Sequence, residues 1–264
     1  MARLFGTAIL AALLVGLAAC SSDMGKETRQ QTDSRAKPVE PETTDRSTNS
    51  ASWDYVALGD SLAAGVGAHR GYVARYADYI ATDTGASVRV VNLGQSGQTS
   101  SQLLDALRND QSMRRNLRGA EIITFNIGIN DLGRAGEDYA NGTCGGNDNR
   151  RCLRTAVERV EGNWDAIVSE LLRLRSTDEA VIRTAGIGYT PRVEEVFKPY
   201  LDEVDRHIAT TAAEKEIPYA QPYLDEEHIN PDGVHPNDSG YKVIADRLRA
   251  LGYSPFMAIA KTTR

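Results

Sequence analysis

The sequence predicts an α/β fold with a mostly parallel central sheet and helices on both faces, and three observations support this prediction. Short apolar runs that are typical of strands alternate along the chain with longer segments of helical periodicity. One of these runs, Ile122–Ile127, is almost continuously apolar, as expected for a strand that is buried on both faces. Glycine-containing segments with polar side chains directly follow three of the strands, which is where ligands bind in such sheets.

Each strand is predicted from a short apolar or β-branched run, and each helix from apolar residues that recur every three or four positions. Strands are expected at residues 55–58, 88–93, 122–127 and 180–185, followed by a short edge strand at 217–220. An edge position suits that last strand because Pro218 cannot donate a ladder hydrogen bond. Helices are expected at residues 72–80, 100–107, 154–174, 193–213 and 239–251. These elements predict one folded domain over residues 52–264.

The first 19 residues have the pattern of an export signal. Arg3 supplies a positive charge, and the apolar stretch 4–17 leads into Leu17-Ala18-Ala19-Cys20. Small residues before a cysteine resemble a bacterial lipobox, in which cleavage leaves Cys20 as a lipidated N-terminus. We therefore predict a lipoprotein signal peptide at residues 1–19 and a protein anchored to the bacterial cell membrane on the extracytoplasmic side. The alternative is an ordinary secretory signal with an incidental cysteine.

Residues 20–51, which comprise Cys20 and the segment after it, are predicted to be a disordered tether. Ser, Thr, Lys, Glu, Asp and Pro dominate this segment, so it cannot bury enough apolar surface to offset the entropy lost on ordering. The formal net charge of the chain is -6, which argues against nucleic acid as a partner.

Two further cysteines, Cys144 and Cys152, flank a polar loop without core-forming residues. In an exported protein this pattern favours a disulfide. A metal site is the weaker alternative, because no histidine lies nearby and two ligands are too few. No metal site and no cofactor are expected elsewhere in the chain.

Ser61 and His235 carry the chemistry that the sequence indicates most clearly. Ser61 lies in Gly59-Asp60-Ser61-Leu62, directly after the first strand, and His235 lies in Asp232-Gly233-Val234-His235-Pro236 near the other end of the chain. A serine hydroxyl needs a base to take its proton, and His235 is the candidate base. Asp232 can orient the imidazole from three residues away, which completes a Ser-His-Asp arrangement for acyl transfer.

Three groups are candidates for stabilising the oxyanion that forms during such a reaction. They are the backbone N–H of Ser61, the backbone N–H of Gly97, and the carboxamide of Asn130. Gly97 ends a block that begins at Asn92, and Asn130 lies in Gly128-Ile129-Asn130-Asp131. A turn glycine and a turn-forming asparagine are the simpler interpretations of the last two residues.

These four blocks, in this order, resemble the SGNH hydrolases, also called the GDSL esterase/lipase family. The resemblance spans nearly the whole domain and implies a flavodoxin-like three-layer α/β/α sandwich. It also implies hydrolysis of carboxylic esters or thioesters without a cofactor, with Ser61, Gly97, Asn130 and His235 in the four family roles and Asp232 completing the triad. Gly97 fits its role better than Gly94, because a Thr-Ser stretch follows it.

The sequence therefore predicts a membrane-tethered serine esterase that acts on lipid-like acyl esters. A deacetylase of O-acetylated surface glycans is one alternative, and a non-catalytic surface binding module is another. The segment Arg134–Cys152 follows Asn130 closely and has two interpretations, a rim or lid over the acyl pocket or a decorated surface loop. The oligomeric state is left open.

Overall fold

The structure is a computed structural model that describes residues 51–187, 193–221 and 223–257. The predicted signal peptide at 1–19, the lipidation site Cys20, the tether up to residue 50 and the C-terminal segment 258–264 lie outside the described residues. Within the described ranges, no helix is both long enough and apolar enough to cross a membrane.

Five parallel strands form one sheet in the order β2-β1-β3-β4-β5. The strands are β1 (Ser52–Gly59), β2 (Ser87–Asn92), β3 (Ile122–Asn126), β4 (Val181–Ala185) and β5 (Tyr219–Ala220). This is the flavodoxin-like strand order, so the predicted fold class is confirmed. The order reverses between β1 and β3, and the crevice beyond their carboxyl ends is the usual ligand site of such sheets.

The central strands are buried on both faces, as the apolar run at 122–127 predicts. Tyr55–Leu58 in β1 and Ile122–Asn126 in β3 have almost no exposed surface. Because the two strands pair in register from Tyr55 beside Ile122 to Gly59 beside Asn126, they end side by side at the same edge of the sheet.

Eight helices cover the two faces of this sheet within the described residues. They are α1 (Ser61–Ala64), α2 (Tyr72–Thr84), α3 (Ser100–Asn109), α4 (Gln111–Gly119), α5 (Ile129–Ala140), α6 (Arg151–Leu174), α7 (Lys198–Glu214) and α8 (Asp238–Ala250). α2 and α8 pack on one face around Tyr76 and Tyr241. The other five long helices, α3 to α7, pack on the opposite face around Trp164 and Phe125.

Two helices were not predicted from the sequence, and a third begins later than predicted. Helix α4 was missed because its short sequence is mostly polar, although Asp110 caps it by accepting hydrogen bonds from two backbone N–H groups. Helix α5 begins at Ile129 and continues into the segment 134–152. Its internal residues Gly133 and Gly136 lower helix propensity, so the sequence did not indicate it. Helix α7 begins at Lys198 rather than at residue 193, because Pro199 has no N–H and is best accommodated in the first turn of a helix.

Candidate active site

The turn between β1 and α1 places Ser61 as the first residue of a short helix at the carboxyl edge of the sheet. Gly59 has φ +134°, and a Cβ built there would lie 2.3 Å from the carbonyl oxygen of Asn126. Only glycine therefore allows β1 and β3 to approach this closely at their ends. Asp60 then caps the helix, because its Oδ1 accepts a hydrogen bond from the Leu62 N–H at 3.0 Å.

Asp60 is itself almost fully buried beside the candidate nucleophile. Its Oδ1 accepts a second hydrogen bond from Asn126 Nδ2 at 2.8 Å, and Tyr72 Oη donates to Asn126 Oδ1 at 3.3 Å. Burial raises the pKa of Asp60 to about 6, against the opposing effect of the hydrogen bonds from Leu62 and Asn126. This buried network was not predicted from the sequence, although a polar Asn126 at the end of an apolar strand was a signal that could have indicated it.

Asp232 and His235 form the contact that the sequence predicts. His235 Nδ1 and Asp232 Oδ2 are 2.8 Å apart, and Asp232 Oδ1 accepts hydrogen bonds from the N–H groups of Val234 at 2.9 Å and His235 at 3.0 Å. Burial alone would raise the pKa of Asp232, but these hydrogen bonds outweigh it and hold the pKa below its usual range. The carboxylate is therefore ionised at neutral pH and fixes the orientation of the imidazole.

The loop that carries His235 is fastened to the connection after α1. Asn230 Nδ2 donates to the carbonyl oxygens of Gly67 at 2.8 Å and Pro236 at 2.9 Å. Gly67 has φ +92°, and a Cβ there would lie 2.5 Å from Asn230 Nδ2 and 3.0 Å from the Cβ of His235. This close approach joins the loop near the end of the chain to the segment that follows Ser61.

Gly97 and Asn130 come from the connections after β2 and β3. Gly97 has φ +76°, and a Cβ built on it would meet no atom within 4 Å, so the space on its side-chain side is open. Asn130 is the second residue of α5, and its Nδ2 donates to the carbonyl oxygen of Gln98 at 2.9 Å. Gly94, by contrast, packs against α1, where a Cβ would lie 2.5 Å from the backbone nitrogen of Ala64.

A cavity of about 380 Å³ brings these residues together. Ser61, Gly97, Asn130 and His235 all line it, whereas Asp232 lies behind the imidazole and reaches the cavity only through its hydrogen bond to His235. The rest of the wall is mainly aliphatic and includes Leu62, Ile129, Ile187, Leu224, Ile229 and Ile244. We call this space the catalytic cavity.

A disulfide joins Cys144 to Cys152, as the sequence predicts, with the two Cα atoms 4.8 Å apart. It closes the loop between α5 and α6 and borders a separate cavity of about 520 Å³. No described residue from 134 to 152 lines the catalytic cavity. The segment Arg134–Cys152 is therefore part helix and part cross-linked loop. Arg134 Nη2 donates to the carbonyl oxygen of Gly97 at 3.4 Å, so the first residue of the segment lies beside the catalytic cavity.

Comparison with known proteins places this arrangement in a family. The chain matches the model of the GDSL-like lipase/acylhydrolase family over residues 57–243. It is 25% identical over 210 residues to the spore germination lipase LipC of Bacillus licheniformis, with 75% of this chain and 96% of the lipase covered. It is also 26% identical over 259 residues to YpmR, an uncharacterised protein of Bacillus subtilis, with 91% and 92% of the two chains covered.

Solved structures share the fold. A lipase from a goat rumen metagenome, Lip_vut3, superposes with a TM-score of 0.70 at 24% identity and covers 78% of this chain and 100% of its own. The acetylxylan esterase Axe2 of Geobacillus stearothermophilus superposes with a TM-score of 0.59 at 19% identity, over 77% and 95% of the two chains. The match to the family model covers most of the described domain, and the chain belongs to the GDSL-like lipase/acylhydrolase family of serine ester hydrolases.

Proposed function

We propose that this protein hydrolyses acyl esters by an acyl-enzyme mechanism in which Ser61 is the nucleophile. The observation that carries the proposal is that Ser61, Gly97, Asn130 and His235 line one cavity while Asp232 is hydrogen-bonded to the far nitrogen of the imidazole. That combination supplies a nucleophile, a base with a fixed tautomer, and donors for a developing negative charge.

His235 acts first as a base and then as an acid. With its Nδ1–H donated to Asp232, the imidazole presents an unprotonated Nε2 that accepts the proton of Ser61 Oγ as this oxygen attacks the ester carbonyl. Collapse of the tetrahedral intermediate breaks the bond to the alcohol oxygen, which takes the proton from Nε2 and leaves. Water then attacks the acyl-enzyme with the same base, and the acid product and free Ser61 are restored.

Three donors are proposed to stabilise the oxyanion. The N–H of Ser61 lies in the first turn of α1, where backbone N–H groups have no helical acceptor. The N–H of Gly97 belongs to a residue whose surroundings are open. The Asn130 carboxamide has two N–H bonds, and because the contact with Gln98 engages one of them, the other can serve the substrate.

The walls of the catalytic cavity favour a lipid-like acyl group over a sugar. Aliphatic side chains such as Leu62, Leu224 and Ile244 dominate the lining around the catalytic groups. An apolar wall gains free energy from burying methylene groups, whereas sugar hydroxyls would lose hydrogen bonds with water there. The relatives named as lipases are consistent with this choice, and deacetylation of an O-acetylated glycan is the alternative that the substrate tests below address.

We also propose that the enzyme works outside the cytoplasm, attached through a lipidated Cys20. The support is the sequence Leu17-Ala18-Ala19-Cys20 after a short apolar stretch. Metabolic labelling with a radioactive fatty acid in a bacterial host tests it. The native chain should be labelled and a Cys20→Ala variant should not, and equal labelling of the two would contradict the anchor.

An active-site probe tests the catalytic proposal directly. A fluorophosphonate should label the native protein and Ser169→Ala, since Ser169 lies on the exposed face of α6 and hydrogen-bonds only its own helix. Ser61→Ala should not be labelled and should not hydrolyse p-nitrophenyl butyrate, although it should keep the circular dichroism spectrum of the native protein. Labelling of Ser61→Ala equal to the native level would overturn the role of Ser61, and a native protein that resists the probe would favour the non-catalytic binding module.

A further inference from the structure

A second cavity of about 470 Å³ adjoins the catalytic cavity between α5 and α7. Ile129, Gly133 and Val193 line both cavities, so the two spaces share a boundary at the start of α5. We call the second space the distal cavity.

The lining of the distal cavity is mainly apolar and includes aromatic rings. Among its lining residues are Leu132, Tyr139, Leu153, Phe197, Tyr200 and Leu201. Tyr139 and Phe197 meet edge to face with ring centroids 5.6 Å apart. The carboxylates that border the cavity, Glu137 and Glu194, belong to exposed residues. An apolar cavity of this size with charge only at its edge matches a hydrocarbon chain better than a sugar.

Two glycines in α5 line the distal cavity and add no side chain to it. Gly133 and Gly136 lie inside a helix, where each is expected to cost roughly 0.5–1 kcal/mol relative to alanine. A Cβ on Gly133 would meet nothing within 4 Å, and a Cβ on Gly136 would lie 3.4 Å from the ring of Phe197. Gly133 therefore leaves open the boundary between the two cavities, and Gly136 leaves open the space in front of Phe197.

We propose that the distal cavity holds the far end of a long acyl chain whose carbonyl carbon lies at Ser61. The proposal rests on the proposed function and names its substrate class, esters of medium- and long-chain fatty acids. The acyl chain passes Gly133 and ends against the Tyr139–Phe197 pair, which sets the longest chain that is fully buried.

The chain-length dependence of hydrolysis tests the proposal. With p-nitrophenyl acetate, butyrate, octanoate and decanoate, kcat/KM of the native protein should rise by up to about fourfold for each added methylene group that becomes buried. In Gly136→Leu the new side chain fills the distal cavity in front of Phe197, so the ratio of kcat/KM for decanoate to that for acetate should fall at least about tenfold, equivalent to losing two or more buried methylenes.

Gly162→Leu is the matched control. Gly162 is another helical glycine, in α6, where a Cβ would meet nothing within 4 Å, and it lines neither cavity. Its decanoate-to-acetate ratio should stay within twofold of the native value. A native preference for acetate over decanoate, or a ratio in Gly136→Leu within twofold of the native ratio, would overturn the proposal.

A covalent adduct provides a second readout that does not depend on a variant. A p-nitrophenyl decylphosphonate should phosphonylate Ser61, with a bond formed between Oγ and phosphorus as nitrophenolate leaves. In a crystal structure of that adduct, the decyl chain should lie between α5 and α7, and a chain lying outside the distal cavity would overturn the proposal. Failure of the proposed function itself would look different, because no ester would be hydrolysed and no phosphonate would bind Ser61.

Discussion

The Asn126 carboxamide donates a hydrogen bond from Nδ2 to the buried Oδ1 of Asp60 at 2.8 Å, one residue before the proposed nucleophile. The other carboxylate oxygen of Asp60, Oδ2, is buried without a hydrogen-bond partner. Burial therefore disfavours the charged form, and the pKa of Asp60 rises from 3.8 to about 6. The turn that positions Ser61 contains an acid whose ionisation opposes folding.

Asp60→Asn should make stability less dependent on pH. The folded protein binds the Asp60 proton more tightly than the unfolded chain, so the free energy of unfolding of the native protein falls as pH rises from about 4 to about 6. Asparagine keeps the capping oxygen and has no charge to bury. The stability of the variant relative to the native protein should therefore increase by up to about 3 kcal/mol between pH 4 and pH 8.

Urea denaturation of both proteins at the two pH values measures this difference. Asp105→Asn is the control, because Asp105 lies on the exposed face of α3 and contacts only the neighbouring Asn109 side chain among the described hydrogen bonds. A stability difference between Asp60→Asn and the native protein that is the same at pH 4 and pH 8 would contradict the effect of burial.

Asp232→Asn should lower kcat by roughly 10²–10⁴. The amide removes the charge that stabilises the imidazolium, and it can present an N–H to His235 Nδ1 and so favour the wrong tautomer. Steady-state kinetics with p-nitrophenyl butyrate measure the loss. Asp225→Asn, in the exposed part of the same connection, should keep the native rate, and a loss of less than tenfold in Asp232→Asn would argue against the triad.

Asn130→Ala should lower kcat by about 10²–10³ while KM changes little. The lost donor acts on charge that exists only in the transition state, so ground-state binding is largely preserved. The same kinetic assay separates the two constants, and Asn109→Ala, at the exposed end of α3, is the control. If KM rises tenfold while kcat stays near the native value, Asn130 binds substrate rather than the oxyanion.

Loss of the Cys144–Cys152 disulfide should affect stability rather than specificity. The closed loop is short, so replacing both cysteines with serine should cost about 2–3 kcal/mol and lower the melting temperature by about 5–10 °C. Because neither cysteine lines the catalytic or the distal cavity, the decanoate-to-acetate ratio should be unchanged. Calorimetry measures the melting temperature, and the ester series measures the decanoate-to-acetate ratio. A changed ratio would show that the loop between α5 and α6 controls access of the acyl chain.

Gly59→Ala should destabilise the domain by at least about 2 kcal/mol. The new methyl group would overlap the carbonyl oxygen and side chain of Asn126 at a backbone conformation that disfavours alanine. Gly119→Ala, where a Cβ would meet nothing within 4 Å, should stay within about 0.5 kcal/mol of the native stability. Equal midpoints of urea denaturation for the two variants would contradict the close approach of β1 and β3.

The sequence predicted the parts of this fold that have strong periodicity. The buried strands β1, β3 and β4 and the long helix α6 lie within three residues of their predicted positions, because continuous apolar runs and a long helical stripe have few alternative interpretations. Helices α4 and α5 were not predicted, since one is mostly polar and the other contains two internal glycines.

The residues of the candidate site that lie in short sequence motifs could be predicted. Ser61, Gly97 and Asn130 lie in segments that follow strands, and His235 lies in the loop before α8. All four meet in one cavity, although they lie far apart along the chain. The bond from Asn126 to Asp60 was not predictable, because it depends on how two strand ends meet across the sheet. The distal cavity could not be predicted from the sequence either, since it forms only when α5 and α7 pack together.

The hydrogen bonds from Asn230 to the Gly67 and Pro236 carbonyls also have a consequence for how this enzyme becomes active during synthesis. The proposed nucleophile Ser61 lies near the start of the domain and the proposed base His235 near its end, in a loop that follows β5 along the chain. Because translation begins at the N-terminus, Ser61 has no His235 to contact until almost all of the domain has emerged from the ribosome. We therefore expect hydrolytic activity only from the finished fold, and truncated products should be inert.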